Sequence, residues 1–236
     1  MWLIAEYQAV GLFSLKNSLA TSSGGKSLLV PTPYAFKMAL LDAACRCWGV
    51  AQAEAIWPVL RDLLIALRLP QRAAVTNLFT KILKPRRSPT GPGTPDAGPL
   101  GKTIAFREYV WFGGALGFAC RLEEGYQPQV TDLLAQINYL GKRGGFMQLM
   151  SPPQLVTELS QGFVPLNPVE GCDSFHSQGL LQMLDDCGPN LSFEQANIYS
   201  GKRIRLGKDR ILHHVVLPYR LTRSSRSYSL YERLDD

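Results

Sequence analysis

Residues 104–118 read IAFREYVWFGGALGF and residues 137–149 read INYLGKRGGFMQL. In the first stretch, period-two alternation puts Ile104, Phe106, Val110 and Phe112 on one face of a strand, with Arg107, Tyr109 and Trp111 on the other. In the second, the apolar stripe Leu133, Leu134, Ile137 and Leu140 predicts a helix that starts near Thr131 or Asp132 and is stopped by Gly141. The glycines of the basic turn GKRGG then permit close backbone approach to a ligand before a short strand, FMQLM.

Working outward, residues 73–83 (AAVTNLFTKIL) alternate as a strand with Val75, Phe79 and Leu83 on one face. Residues 84–102 (KPRRSPTGPGTPDAGPLGK) are so rich in Pro and Gly that they predict a flexible or extended loop. Together with the returning strand they predict a protruding hairpin at about 73–112 with a basic tip. Residues 2–13 read as an N-terminal strand, and Pro33 opens a helix with Phe36, Ala39, Leu40, Ala43 and Ala44 at helical spacing. Residues 54–70 (EAIWPVLRDLLIALRLP) suit either strand or helix. The order strand, helix, strands, helix, strand predicts an α+β, ferredoxin-like (RRM-like) domain over 1–150, followed by a smaller, basic, mostly β region over 151–236.

A chain of 236 residues with 46% hydrophobic content can bury a core without staples. No run of roughly 18 apolar residues suggests a membrane span, and MWLIAEYQAV lacks the basic flank of a signal peptide, so a cytoplasmic protein is expected. Five scattered cysteines, Cys45, Cys47, Cys120, Cys172 and Cys187, fit reduced thiols better than a disulfide framework. The net charge is +6, yet residues 199–233 alone carry nine Lys/Arg against two acids. Lys202, Arg203 and Arg205 open this stretch, where cations alternate with Tyr as on a surface that tracks phosphates and stacks bases. An ordinary solvated basic face has the same composition.

ATSSGGKS at 20–27 approaches a phosphate-binding P-loop, but Pro31 and Pro33 follow Lys26 where the loop must open a helix. A mobile Gly/Ser/Lys loop touching a nucleic-acid backbone is the better reading. Cys45-x-Cys47 and His213-His214 have no metal-ligand spacing, and neighbouring strand residues face opposite ways, so neither metal nor cofactor is expected. Metal-free RNA cleavage needs an acid and a base near a 2′-hydroxyl, with a cation for the phosphorane charge. His176, His213 or His214 with Tyr109 and Lys142 supply those groups, though no spacing selects them.

IAFREYVWFGGALGF, INYLGKRGGFMQL and the proline-led helix PTPYAFKMALLDAA at 31–44 resemble the Cas-five branch of the repeat-associated RNA-binding (RAMP) superfamily. In that family an REY-type strand returns from a hairpin and a YLGKRG-type turn closes the second helix. The resemblance covers roughly 1–150. It implies a non-enzymatic subunit of a type I CRISPR Cascade complex that grips the 5′ handle of the crRNA, beside a Cas-seven-type backbone subunit and the large subunit. The hairpin would be the thumb. Arg107, Tyr109, Trp111, Lys142 and Arg143 would face the RNA, with Lys16, Lys26 and Lys37 as further contacts, and the basic C-terminal region would meet RNA or target DNA. Some members of the branch instead trim precursor RNA with Tyr, Lys and His, which keeps a metal-independent endoribonuclease as the alternative.

Overall fold

The first helix shows how local chemistry starts the fold. The Thr32 hydroxyl accepts a hydrogen bond from the Ala35 N–H at 3.1 Å, and Pro33 occupies the first turn, where its missing N–H costs nothing. A computed structural model describes residues 1–19, 25–94, 97–123, 125–142, 144–167 and 178–234. Its elements are β1 (Trp2–Ala9), α1 (Pro33–Trp48), α2 (Val50–Arg61), β2 (Leu64–Arg68), β3 (Arg72–Thr90), β4 (Gly98–Phe112) and β5 (Leu116–Arg121). They continue with α3 (Gln127–Ala135), β6 (Met147–Leu149), β7 (Gln154–Val156), β8 (Phe163–Pro165), β9 (Leu180–Cys187), α4 (Phe193–Ala196), β10 (Arg210–Leu217), β11 (Tyr219–Ser224) and β12 (Tyr228–Arg233).

The main sheet runs β6-β1-β5-β2-β8, with β7 sharing an edge of β1 with β6. All its pairings are antiparallel. Helices α1 and α3 supply apolar side chains to the core beside it. Phe36 of α1 stacks on Phe118 of β5 at 4.3 Å, and the buried Tyr7 hydroxyl donates to the Leu134 carbonyl at 2.7 Å. A second sheet, β11-β12-β3-β4, carries the long hairpin, and among the described residues β9 pairs with β10 alone.

Several expectations need correction. The ambiguous stretch 54–70 is both things in turn: the end of α2, with Pro58 inside it, and then β2. Strand β1 stops at Ala9, short of residue 13. The second helix starts earlier, at Gln127, and ends at Ala135. Ile137 and Leu140 are buried as expected but not helical. The backbone there turns elsewhere: the Asn138 carbonyl accepts from the Met147 N–H at 2.9 Å, and the Leu140 N–H donates to Gly145 at 3.0 Å.

Much of the proposed loop at 84–102 is strand. Pairing runs on through Pro85↔Leu100 to Thr90↔Gly98. Proline is tolerated because β12 covers the outer edge of β3 only from Arg72 to Thr76, so that beyond Asn77 no N–H is needed on that side. The boundary at 150 separates composition but not sheets, since β7, β8 and β12 from the C-terminal part pair with β1, β2 and β3. One apolar cluster spans both parts, from Leu3 to Tyr219.

Candidate nucleic-acid interface

Beyond β3, the other edge of β4 is met by two short loop segments. Phe13 and Val110 exchange backbone hydrogen bonds at 2.8 and 2.6 Å, and the Ser14 hydroxyl donates to the Glu108 carbonyl at 2.9 Å. The Ser27 N–H donates to the Glu108 carboxylate at 2.8 Å, tying the second segment down. These bonds lay Lys16 alongside the strand that carries Arg107.

The glycine turn arrives from the other side. Gly141 has φ +74°, and a Cβ there would lie 2.8 Å from the Leu15 side chain. At Gly145 a Cβ would lie 2.7 Å from the Leu140 carbonyl oxygen. Glycine is therefore needed at both positions, for conformation at the first and for space at both. The turn presents Lys142 at its exposed tip.

Lys16, Lys84, Arg107 and Lys142 thus form one cluster of positive charge. Partial burial lowers the Lys16 pKa, and the charges of Arg107, Lys142 and Lys84 lower it further. Lys142 is lowered in the same way, by burial and then by Arg107. Arg107 Nη1 is shielded from solvent and has no hydrogen-bond partner among the described residues. Like charges gathered in one place cost stability, and a polyanion would relieve that cost.

Tyr109 and Trp111 project from the open face of β4, and Trp111 is 48% exposed. On the opposite face Val110 and Phe112 are buried in the core, whereas Ile104, farther out on the hairpin, is 66% exposed. The predicted alternation therefore holds, but core burial covers only the base of the hairpin.

The other predicted residues scatter. Lys26 is exposed and lines a groove of about 790 Å³ between the hairpin and β9, together with Glu108, Tyr231 and His214. After it the chain bends at residues 29–30 and no helix begins before α1 at Pro33. Lys37 must be corrected: it is buried, 2.7 Å from Asp186, and offers no surface to RNA. Lys202 pairs with Glu194, Arg205 lies 3.2 Å from Asp209, and Arg203 is exposed. Arg143, His176 and Cys172 lie outside the described residues. His213 Nε2 lies 3.6 Å from the buried Asp186 carboxylate, while His214 faces the other way into the groove. Among the described residues no three metal-ligating side chains converge, and no helix is long and apolar enough to cross a membrane.

Lys84 was missed because its place in the cluster depends on the hairpin register, in which Lys84 lies opposite Gly101. A stretch read as a loop carries no register.

The mixed α/β fold, dominated by antiparallel strands, is similar to that of known CRISPR proteins. The crystal structure of a CRISPR protein from Archaeoglobus fulgidus matches with a TM-score of 0.50 at 15% identity, covering 100% of this chain and 92% of that one. A chain of a CRISPR RNA-guided surveillance complex matches with a TM-score of 0.50 at 12% identity, covering 92% of this chain and 90% of that one. More particularly, the chain is 23% identical over 203 residues to CRISPR-associated protein Cas5 of Archaeoglobus fulgidus, covering 85% of this chain and 86% of the relative. No family model matches. The likeness to the Cas-five family read in residues 1–150 is thus met by a curated homologue, over a longer stretch than those residues.

Proposed function

We propose that this chain is a non-catalytic, RNA-binding subunit of a type I CRISPR surveillance (Cascade) complex, which holds the 5′ handle of the crRNA. The observation that carries the reading is the cluster of Lys16, Lys84, Arg107 and Lys142, in which the glycine turn brings Lys142 beside Arg107 of the hairpin. The strand order β6-β1-β5-β2 supports a ferredoxin-like palm, and the β3–β4 hairpin would then be the thumb. Likeness to a Cas5 protein and to a surveillance-complex chain supports a place at the foot of such an assembly, beside a backbone subunit and the large subunit, in the cytoplasm.

The test is binding of labelled repeat RNA by the purified protein, with EDTA present, across a salt series. Replacing Lys16 and Lys142 by Gln should weaken binding and flatten the salt plot by about 1.4 units, at about 0.7 per lost phosphate contact on a single strand. Unchanged affinity and slope in this variant would overturn the reading.

A second reading, metal-independent RNA cleavage, is favoured by one observation: Lys26, Tyr231 and His214 line a single groove. If the chain is a processing ribonuclease, the same mixture yields a single cut in the repeat, and His214→Ala abolishes the cut while binding persists. Intact RNA under tight binding would remove it.

A further inference from the structure

The register across the second sheet aligns side chains from both ends of the chain on one face. Tyr228 of β12 lies opposite Thr76 of β3, which lies opposite Tyr109 of β4. In the next row Arg223 of β11 lies opposite Leu230, which is followed by Ala74 and Trp111. Residues paired in antiparallel strands point to the same side, so these two rows share a face. Thr76 and Ala74, both small, lie between the aromatic side chains in these rows. The Trp111 ring lies over Gly113, where a Cβ would come within 3.0 Å of it.

This face is open. Trp111 is 48% and Tyr228 39% exposed, whereas Ala73, Val75, Val110 and Phe112 on the other face are buried in the core. The aromatics are therefore not the margin of a core. Tyr228 is held in place by Asn77, whose N–H and side-chain amide donate to the Ser227 and Arg226 carbonyls at 2.9 and 3.2 Å and clamp the β11–β12 turn against β3.

The charge on this face is one-sided. Its rows carry Arg72, Arg220, Arg223, Arg107 and Lys84, and the single acid among them is Glu232, 3.2 Å from Arg72. An aromatic surface with surplus arginine suits unstacked bases and a phosphate backbone. Arg107 belongs both to this face and to the cluster with Lys16 and Lys142, so the two surfaces are continuous.

We infer that the open face of the β11-β12-β3-β4 sheet binds single-stranded RNA running on from the Lys16–Lys142 cluster, with bases stacked on Tyr109, Trp111 and Tyr228 and phosphates met by Arg223. The inference rests on the RNA-binding reading above and extends the bound strand onto the C-terminal hairpin. An acidic protein partner is the competing occupant, but it would not account for the continuity with the cation cluster.

The test uses the full chain with repeat RNAs of graded length, comparing Tyr228→Ala, Tyr228→Phe and Arg223→Gln with Lys142→Gln. Tyr228→Ala should weaken the longer RNAs by about 5- to 150-fold, the range for loss of one stacked base, and leave the shortest unaffected. Tyr228→Phe should bind as the parent does, because stacking needs only the ring. Melting temperatures confirm that the variants are folded. If Tyr228→Ala and Arg223→Gln bind every RNA normally while Lys142→Gln does not, the extended track is wrong and the cluster stands. If none of them matters, the RNA-binding reading falls as well. If the hairpin variants spare RNA affinity but lose a co-purifying subunit, the face is a protein interface and the inference fails.

Discussion

Two groups of lysines show how differently one residue type is used. Lys37 is a core residue: its ammonium lies 2.7 Å from Asp186, which also accepts from the Asn167 amide at 3.0 Å and from the Cys187 N–H at 2.7 Å. Burial pushes the Asp186 carboxyl up, but His213, 3.6 Å away, and the charge of Lys37 outweigh it and leave the group below its ordinary value. Asp186→Asn should cost about 3–5 kcal/mol, because it strands a buried ammonium. Lys37→Met should cost less, since Asp186 keeps its other donors. With a folded pKa below the unfolded one, this carboxylate contributes stability above about pH 4 that is lost as acid titrates it through its lower folded value. Urea midpoints for the two variants at neutral pH check the order, and a larger loss for Lys37→Met would refute it. Lys142 should behave in the opposite way. Its neighbours Arg107 and Lys16 repel it, so Lys142→Gln should leave the melting temperature unchanged or raised while weakening RNA. A variant that loses stability and affinity together would make Lys142 a structural residue. The sequence singled out Lys142 through the glycine turn, which the structure places beside Arg107, whereas Lys37 sits in an apolar helix whose buried counter-ion comes from a strand about 150 positions away. No local pattern reveals such a pairing.

At the scale of elements, the hairpin separates a base that builds core from an arm that does not. Val75 and Val110 are buried at the base, whereas Phe79, Leu83 and Ile104 are 76%, 59% and 66% exposed along the arm. Phe79 and Phe106 touch across the strands at 5.4 Å, which stiffens the arm but removes little apolar area from water. Replacing residues 81–104 by an Asn-Gly turn joins Thr80 to Ala105, partners in the native register, with a connection suited to two-residue hairpins. The shortened protein should melt within about 4 °C of the parent, as expected for a change near 1 kcal/mol in a chain of this size. It should also bind repeat RNA more weakly, because Lys84 is removed. A large drop in melting temperature, or undiminished RNA affinity, would count against an arm built for binding. Alternation made the strands of this hairpin legible, but not their length: Pro and Gly in 84–102 suppress side-chain signals without preventing backbone pairing at a free edge. The helix at α3 failed for the converse reason. A buried periodic stripe continues through Ile137 and Leu140 after the helical hydrogen bonds have ended.

At the scale of the whole molecule, the two halves are woven together. Composition changes near residue 150, but strands from beyond it complete both large sheets, and buried or half-buried polar groups lock the junctions. The Tyr219 hydroxyl donates to Pro70 at 2.7 Å, the Arg233 guanidinium donates to Leu69 at 2.7 Å, and the Trp57 indole donates to Leu191 at 2.9 Å. The Asn167 side chain accepts from the Ile65 N–H at 2.8 Å. Contacts so distant in sequence leave no periodic trace, which is why the sequence suggested a separate C-terminal region. The physical consequence is that a fragment ending at 150 would expose the edges of β1, β2 and β3 and leave Lys37 buried without its carboxylate. Unpaired edges invite association with other chains, and an unpaired buried charge costs about 3–5 kcal/mol. Full-length protein should therefore unfold in one transition, with tryptophan fluorescence and far-ultraviolet circular dichroism giving the same denaturant midpoint. The 1–150 fragment should lack near-ultraviolet dichroism and aggregate. Two separated transitions, or a soluble fragment with native near-ultraviolet signals, would mean that the halves fold alone. The continuous RNA track from the glycine turn to the C-terminal hairpin would then lack the rigid frame it needs.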